Sequence, residues 1–600
     1  MSKQIRLITL FIALSVGIVF SFKNIILFAG TINNPKVFYT PFSGGDNDTY
    51  GAQIREVFDG KLFSGDAYSY ETRNNPPINN WLSSLSLGLI AKALNSVELV
   101  FIFSDFFFPA ILFILIVNFL YQRTQQYWLS AVTGLSTLFL FQLISKIPPV
   151  TKELAENFWQ MITLKEPSSF YFNRLPPPQF TFTIFWLFII SLYCTLTNKN
   201  KPKIIFILPG ILSGLLAYIY FYHWTASLVM IAVCLGFNLL VKNKIVAKRL
   251  LLTLLIALII SSGYFYQILS VNLIDKQFQM GRIDGRFIEP LTTLRYGLLT
   301  IIILWFIRQP ALKQLLASIF IAAVVLVNLQ VITGYTVSPG HWPNSTFEPL
   351  VVISAGILLV EIMKKLKIQK ILKLFWILIF PIFLYAVLNQ SGDAKSNSSL
   401  YYLSPGEKKL YDWLNTNSPP DSVVLSFDKM ITRRLPAITH QYPYLPYGCL
   451  SQLSTGQIWE RFNLAGSIIQ LNPEYIRWLL TTQFASYLFV DFYNYSWSSD
   501  LTGLDFPAQE REIISQTHPF FTFGHLYIPD NIKQANLGKV AEYNNLPLAE
   551  RICRYRLNYL VLKDLEKAAL THLLDNHVFQ PVFQTEDISL YQINPKLCSQ

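Results

Sequence analysis

Lys242-Asn-Lys-Ile-Val-Ala-Lys-Arg249, running directly into Leu250-Leu-Leu-Thr-Leu-Leu-Ile-Ala-Leu-Ile-Ile-Ser-Ser-Gly-Tyr-Phe-Tyr-Gln-Ile-Leu-Ser-Val271, is the stretch that decides the fold. Its second part carries no charge and has the length of a membrane-crossing helix, which takes about 20 apolar residues. Its first part holds Lys242, Lys244, Lys248 and Arg249 and no acid, as a cytoplasmic flank does. Ten further stretches read the same way: 7–29, 98–121, 127–145, 178–197, 204–222, 225–241, 291–307, 314–333, 348–363 and 371–389. Those at 225–241, 291–307 and 348–363 are short or interrupted. Trp81 to Leu94 is apolar but too short to cross, and reads as an interfacial or re-entrant helix.

Composition agrees. Of 600 residues, 52% are apolar and 14% charged, with 47 Phe and 31 Tyr, and mean hydropathy is +0.37. Disorder needs the opposite balance, and five Cys are too few for a disulfide scaffold. The fold class is therefore a polytopic α-helical membrane protein of about eleven spans. The first span follows Lys3 and Arg6, and Phe28-Ala29-Gly30 makes a poor cleavage site, so it reads as uncleaved. Lys23 within it has to snorkel or face the bundle.

With the N-terminus in the cytoplasm, five connections face inward: 122–126, 198–203, 242–249, 308–313 and 364–370. They hold Arg123; Lys199, Lys201 and Lys203; the four cations above; Arg308 and Lys313; and Lys364, Lys365, Lys367 and Lys370, with no Asp or Glu. The net charge of +12 thus belongs largely to topology, and no nucleic-acid partner is expected. The bilayer is. Residues 1–389 form the membrane domain, with a long first outer loop at 30–97. Residues 390–600 form a second domain, entered through the polar linker 391–399. There Pro405–Leu414 and Leu565–Leu574 read as helices, and Ser422–Phe427, Tyr559–Leu562 and Ile588–Ile593 as strands, an α/β pattern on the extracytoplasmic side. Cys449, Cys553 and Cys598 then lie in an oxidising space. Cys553 and Cys598 flank terminal strands and can bridge; free buried thiols are the alternative.

Chemistry is expected outside. Asp46-Asn-Asp48 follows Gly44-Gly45 and precedes an aromatic residue. Two carboxylates at that spacing in a loop can share a divalent cation such as Mg²⁺ or Mn²⁺, or one can serve as a base while the other raises its pKa. The same residues also form Asx turns and helix caps. In the loop 146–177, Glu153, Glu156 and Glu166 precede Arg174, which can grip a phosphate bidentately or anchor at the interface. His223-Trp224 and His341-Trp342 fall on the same face, where the tryptophans suit the interfacial belt. The loop 272–290 adds Asp275, Lys276, Arg282, Asp284, Arg286 and Glu289. Asp105 is the clearest acid within a span. There is no P-loop, Rossmann fingerprint or nucleophile elbow.

These residues resemble the GT-C superfamily of membrane glycosyltransferases, the architecture of oligosaccharyltransferases, protein mannosyltransferases and aminoarabinose transferases. Asp48-Thr-Tyr50 with Ile54-Arg-Glu-Val-Phe-Asp-Gly60 is similar to that family's Asp-x-Tyr stretch, and Asp46-Asn-Asp48 to its acidic motif, in the first outer loop. The resemblance implies transfer of a sugar from a polyprenyl-phosphate-type lipid to an acceptor it leaves unnamed. The Trp-Trp-Asp signature of oligosaccharyltransferases is absent, which favours a single-sugar transferase. Glycosyl transfer needs a carboxylate beside the acceptor hydroxyl, for which Asp48 and Asp46 are the candidates. It also needs phosphate-binding groups, for which Arg174, Arg282, Arg286 and His341 are candidates, with His223 and Asp105 nearby. A transporter or lipid flippase and a non-catalytic envelope protein are the alternatives.

Overall fold

Among the described residues, each of the eleven apolar stretches is helical over most of its length in the computed structural model of the protein. It describes residues 2–34, 36–42, 46–63, 65–77, 80–144, 152–165, 167, 169–197, 204–270, 282–284, 286–338, 340–448, 451–483, 530–563, 566 and 578–598. In chain order the helices of the first part are α1 (Lys3–Asn33), α2 (Asp46–Phe58), α3 (Trp81–Leu94), α4 (Val97–Thr124), α5 (Tyr127–Phe139), α6 (Phe141–Ile144), α7 (Lys152–Ile162) and α8 (Gln179–Thr197). Then come α9 (Ile204–Ile219), α10 (Phe221–Leu240), α11 (Lys244–Ser270), α12 (Pro290–Phe306), α13 (Pro310–Val327), α14 (Leu329–Thr333), α15 (Glu348–Lys365) and α16 (Ile379–Ser396). Among the described residues, eight helical segments are long and apolar enough to cross a membrane. Of the three stretches expected to be short, only 291–307 stays so, as α12. The sixth begins earlier, at Phe221, and the tenth is extended by a π-turn over Trp342–Phe347.

The cationic loops share one end of the bundle. Thr9, near the start of α1, donates to Tyr127 Oη of α5 at 3.2 Å. Arg123 lies 4.3 Å from the Tyr193 ring, Gln309 donates to Tyr193 Oη at 2.7 Å, and Lys365 lies 5.2 Å from the Phe306 ring. These contacts join the starts of α1 and α5, the ends of α4 and α8 with the start of α13, and the ends of α12 and α15. Lys199, Lys201 and Lys203 lie outside the described residues. The opposite end carries the second domain: Phe38–Tyr39 (β1), just past α1, pairs antiparallel with a strand of that domain, Phe38 opposite Leu403.

The first outer loop is not loop throughout, since it contains α2 and α3. The short apolar helix expected at Trp81–Leu94 is α3, where Ser83 Oγ donates to the Ile219 carbonyl at 3.1 Å. The expected linker 391–399 is a correction too: α16 continues through Ser396. Within it Asp393 is buried at 0% exposure and paired with Lys23 of α1 at 3.0 Å, a long-range contact that the local polarity does not reveal.

The second domain is a sheet between two helical layers. Past Tyr402–Leu403 (β4) come α17 (Pro405–Asn417), Val423–Leu425 (β5), α18 (Lys429–Ile438), Tyr442–Pro443 (β6), α19 (Thr455–Ile468), α20 (Pro473–Trp478), α21 (Asp530–Asn544) and α22 (Leu548–Cys553). Strands Tyr559–Lys563 (β7), Phe579–Gln584 (β8) and Ile588–Ile593 (β9) follow. The remaining pair, Arg282–Asp284 (β2) and Tyr335–Val337 (β3), forms a separate ribbon. Sheet order is β6-β5-β7-β9-β8, parallel from β6 to β7 and antiparallel beyond. Alternation decides which core each side chain enters. Val423, Leu425, Leu560 and Leu562 enter one core; Val424, Tyr559, Val561 and Leu590 enter the other. Helix starts are fixed by capping boxes at Ser404/Glu407 and Ser454/Gln457. Cys553 and Cys598 form a disulfide. Cys449 and all of the expected helix Leu565–Leu574 but Glu566 lie outside the described residues. The protein is thus a polytopic α-helical membrane protein with a C-terminal α/β domain.

The domain is seated on the bundle through α18 and α2. Gly51 permits the approach: a Cβ there would stand 2.6 Å from the Phe42 ring and 3.2 Å from Ala437 Cβ. Arg55 Nη1 donates to the Ile438 carbonyl at 3.0 Å.

Candidate active site

Asp48 lies in the first turn of α2, not in a turn between elements, and is 0% exposed. The partner that makes this burial tolerable comes from the other domain. Arg433 Nε of α18 sits 2.8 Å from Asp48 Oδ2, while Oδ1 accepts from the Thr49 amide at 2.7 Å and the Thr49 hydroxyl at 3.2 Å. Tyr68 Oη donates to the Arg433 carbonyl at 3.2 Å, and the Tyr447 ring lies 4.6 Å from the guanidinium. Burial pushes the Asp48 carboxyl up to about 7, against the pull of Arg433 and Thr49. That is the range in which a carboxylate serves best as a base at neutral pH. Asp46 opens α2, and its side chain is not described.

The proposed Mg²⁺ or Mn²⁺ does not fit at Asp48 as folded, because Arg433 and Thr49 already occupy both oxygens. Among the described residues no group of three His, Cys, Asp or Glu side chains converges.

Asp105 faces the bundle interior. Asn24 and Gln179 donate to its two oxygens, each at 2.7 Å, and Tyr39 Oη donates to Asn24 at 2.8 Å. Gln390 donates to Asn173 at 2.7 Å, extending the network to α16. A small cleft opens here, lined among others by Lys23, Asn24, Asn47, Asp105, Asn173 and Tyr401. Asn47 is the chain neighbour of Asp46 and Asp48, and Asn173 that of Arg174. The cleft, about 10 Å³, has room for roughly one water, and neither Asp48 nor Arg174 lines it.

Beyond Asn173 the structure groups Arg174, His341 and His223 around three tyrosines and a serine. Arg174 lies 5.2 Å from the Tyr171 ring. Tyr220 Oη is 2.8 Å from His341 Nδ1 and donates to Ser345 Oγ at 3.2 Å; Tyr171 also hydrogen-bonds Ser345. The Tyr222 ring stacks on His341 at 4.7 Å. Burial, and then Arg174, push His341 down to about 4, so it is a neutral imidazole and not a second cation at pH 7. His223 is buried in α10, stacked on Phe185 at 4.7 Å, with Nε2 3.2 Å from the Ser345 carbonyl. Trp342 Nε1 donates to Thr225 at 3.0 Å.

The basic loop is not gathered into this group. Arg286 Nη1 donates to the carbonyls of Val331 and Ile332 at 2.6 and 2.9 Å, which caps the end of α14. Arg282 lies in β2 opposite Val337, and its side chain is not described; Asp275 and Lys276 lie outside the described residues. Sequence reasoning missed Arg433, Tyr220, Ser345, Gln179 and Asn24. Only Arg433-Arg434, two cations followed by Leu-Pro, carries a local signal, and nothing in it names Asp48 as the partner.

No protein-family model matches the chain, and no curated protein does. Among solved structures it is similar to ArnT from Cupriavidus metallidurans in the apo state, at TM-score 0.38 and 10% identity, over 96% of this chain and 98% of that one. It is similar to the archaeal oligosaccharyltransferase AglB from Archaeoglobus fulgidus in complex with an inhibitory peptide and a dolichol-phosphate, at TM-score 0.41 and 13% identity, over 98% and 88%. The Archaeoglobus fulgidus oligosaccharyltransferase in complex with Zn and sulfate matches at TM-score 0.33 and 12% identity, over 71% and 62%. These are likenesses of layout.

Proposed function

We propose that this protein is a membrane glycosyltransferase that moves a sugar from a polyprenyl-phosphate-type lipid to an acceptor hydroxyl on the outer face. The observation that supports the reading is Asp48, a fully buried carboxyl beside Arg433 that burial pushes up to about 7. It lies at the domain end of the bundle, opposite the acid-free cationic loops, and that asymmetry supports an N-terminus in the cytoplasm and an α/β domain outside. A carrier lipid reaches such a site from the side.

In this reading the acceptor oxygen attacks the anomeric carbon as the bond to phosphate breaks. The hydroxyl proton passes to Asp48, and the phosphate leaves with the bonding pair. One direct displacement inverts the anomeric centre. Arg174 holds the departing phosphate, helped by a hydrogen bond from neutral His341. Asp48 reaches the acceptor only as the α2–α18 contact loosens, since Arg433 covers it. A Mg²⁺ or Mn²⁺ at Asp48 would need the same loosening, and no step here uses one.

The test is transfer in membrane vesicles of known sidedness, supplied with radiolabelled polyprenyl-phosphate sugars. Labelled acceptor accumulating on the domain side supports the reading. Carrier lipid that changes leaflet with its sugar still attached means a flippase. Neither product with any donor, from a folded and inserted chain, means a non-catalytic protein.

The phosphate side has its own expected result. Arg174→Lys keeps the charge but loses the planar fork, so donor affinity falls about tenfold or more, one charge-assisted bond being worth ~1.5–3 kcal/mol. His341→Ala lowers turnover, while Trp342→Phe, which loses a bond to Thr225 and touches no phosphate, leaves both within about twofold. Donor affinity and turnover measured for the three variants decide it. If only the Trp342 change matters, Arg174 and His341 belong to the aromatic belt.

A further inference from the structure

A second amphiphilic feature lies at the opposite end of the bundle, far from the cleft. A groove of about 380 Å³ opens between α1 and α4, lined by Arg6, Thr9, Leu10, Ile114, Asn118 and Gln122. The lining is ordered. On α4, Ile114, Asn118 and Gln122 are four residues apart and share a face; on α1, Arg6 and Leu10 do the same. The helices run antiparallel, so Arg6 and Gln122 stand together at the bundle end, and Leu10 and Ile114 lie deeper, with Asn118 between. The groove therefore grades from a guanidinium, through an amide, to hydrocarbon.

Its polar groups are short of partners. Among the described residues neither the Arg6 guanidinium nor the Asn118 amide makes a hydrogen bond or ion pair within the chain, and no acid lies in the short connections of this end. An unsatisfied amide on a helix face within a membrane is costly. Thr9 is already spent, on the Ile5 carbonyl at 2.8 Å and on Tyr127. Around the groove, Leu7, Leu10 and Phe11 are 59%, 49% and 72% exposed, which is a lipid-facing surface and not a solvent-facing one.

We propose that this groove binds one anionic glycerophospholipid of the adjoining leaflet. Its phosphate lies on Arg6 and Gln122, an ester carbonyl accepts from Asn118 Nδ2, and an acyl chain runs along Leu10 and Ile114. The lipid supplies the anion and the acceptor that the chain lacks here, and ties the start of the first span to α4. A free phosphate would use Arg6 but leave Asn118 and the apolar floor unfilled.

The test is lipid retention by the purified full chain in detergent, counted by native mass spectrometry, with phosphatidylglycerol, phosphatidylcholine and inorganic phosphate as separate probes. The wild type should hold one phosphatidylglycerol in preference to phosphatidylcholine. A juxtamembrane cation is worth about fivefold toward anionic lipid, so Arg6→Gln should lose about that factor and the preference with it. Asn118→Leu should weaken both lipids alike, because both carry ester carbonyls. Arg6→Lys, which keeps the charge that sets topology, should fall between and guards against misinsertion of Arg6→Gln. Equal retention of both lipids, untouched by Arg6→Lys and Asn118→Leu, would overturn the proposal in favour of a non-specific annulus. Displacement of phosphatidylglycerol by millimolar inorganic phosphate would overturn it in favour of a free-anion site.

Discussion

Asp48→Asn is expected to lower sugar transfer by about 10²–10⁴-fold, the usual worth of a positioned base. The substitution keeps size and hydrogen-bonding capacity and removes charge and basicity. It also strands Arg433, 2.8 Å away in the wild type, and an unpaired buried charge costs ~3–5 kcal/mol. Loss of activity alone therefore does not separate a base from a strut. Asp48→Asn combined with Arg433→Met removes both charges and should recover most of the stability while staying inactive. The pH dependence gives an independent readout. Turnover should rise as Asp48 loses its proton through about 7. Arg433 favours the charged form, so Arg433→Met should move that rise to higher pH. Stability runs the other way. The unfolded chain releases the Asp48 proton near the ordinary 3.8, and the folded chain retains it to about 7. Between those values the unfolded state binds fewer protons, so Asp48's contribution to stability falls as pH rises. A folded, inserted double variant with full turnover would reduce the pair to an interdomain strut and send the search for a base to Asp46 and Asp105.

Eight of the eleven expected spans were legible because a membrane helix is specified locally, by length and by apolar composition; the helices in 127–145, 204–222 and 291–307 are not among the eight. The grouping of cations at one end of the bundle was legible for the same reason: charge asymmetry is written loop by loop. What failed was whatever depends on a distant partner. Asp46-Asn-Asp48 looks like a turn because Asn and Asp favour turns. Yet Asp48 meets Arg433 of the second domain, and the Cβ that Gly51 lacks would strike the Phe42 ring at 2.6 Å. The stretch 391–399 looks like a linker because it is polar, yet within it Asp393 pairs with Lys23 at the far end of the chain. Sheet order was out of reach likewise: β5 lies between β6 and β7 because Val424 pairs with both Pro443 and Tyr559, and no local pattern encodes that choice. Of the phosphate-side candidates, Arg174, His341 and His223 share a neighbourhood, while Arg286 was a plausible cation whose bonds turn out to go to helix carbonyls.

Asp393→Asn is expected to destabilise the membrane half by ~3–5 kcal/mol, the cost of leaving one member of a buried pair uncompensated. Lys23 is 4% exposed and Asp393 0%. The carboxylate also accepts from Ser169 at 2.6 Å and Asn397 at 2.7 Å, and Lys23 donates to Ser169 and Tyr401, each at 2.7 Å. An amide at position 393 can keep some of these bonds but none of the charge, so Lys23 must lose its proton, draw in water or break the packing of α1 on α16. The surface pair Lys408–Asp412, whose side chains are 41% and 58% exposed, supplies the contrast. Asp412→Asn there should cost at most ~1 kcal/mol, and that small effect should fade in high salt. The Asp393 effect should persist in salt, because solvent ions do not reach the pair. Replacing both partners, Lys23→Met with Asp393→Leu, should return most of the loss, as apolar groups of similar size do in place of buried pairs. Thermal unfolding of the full chain in nanodiscs at low and high salt measures all three. If Asp393→Asn melts with Asp412→Asn, the ammonium finds water or lipid phosphate as readily as it finds Asp393. The first and last spans would then be held together by packing alone.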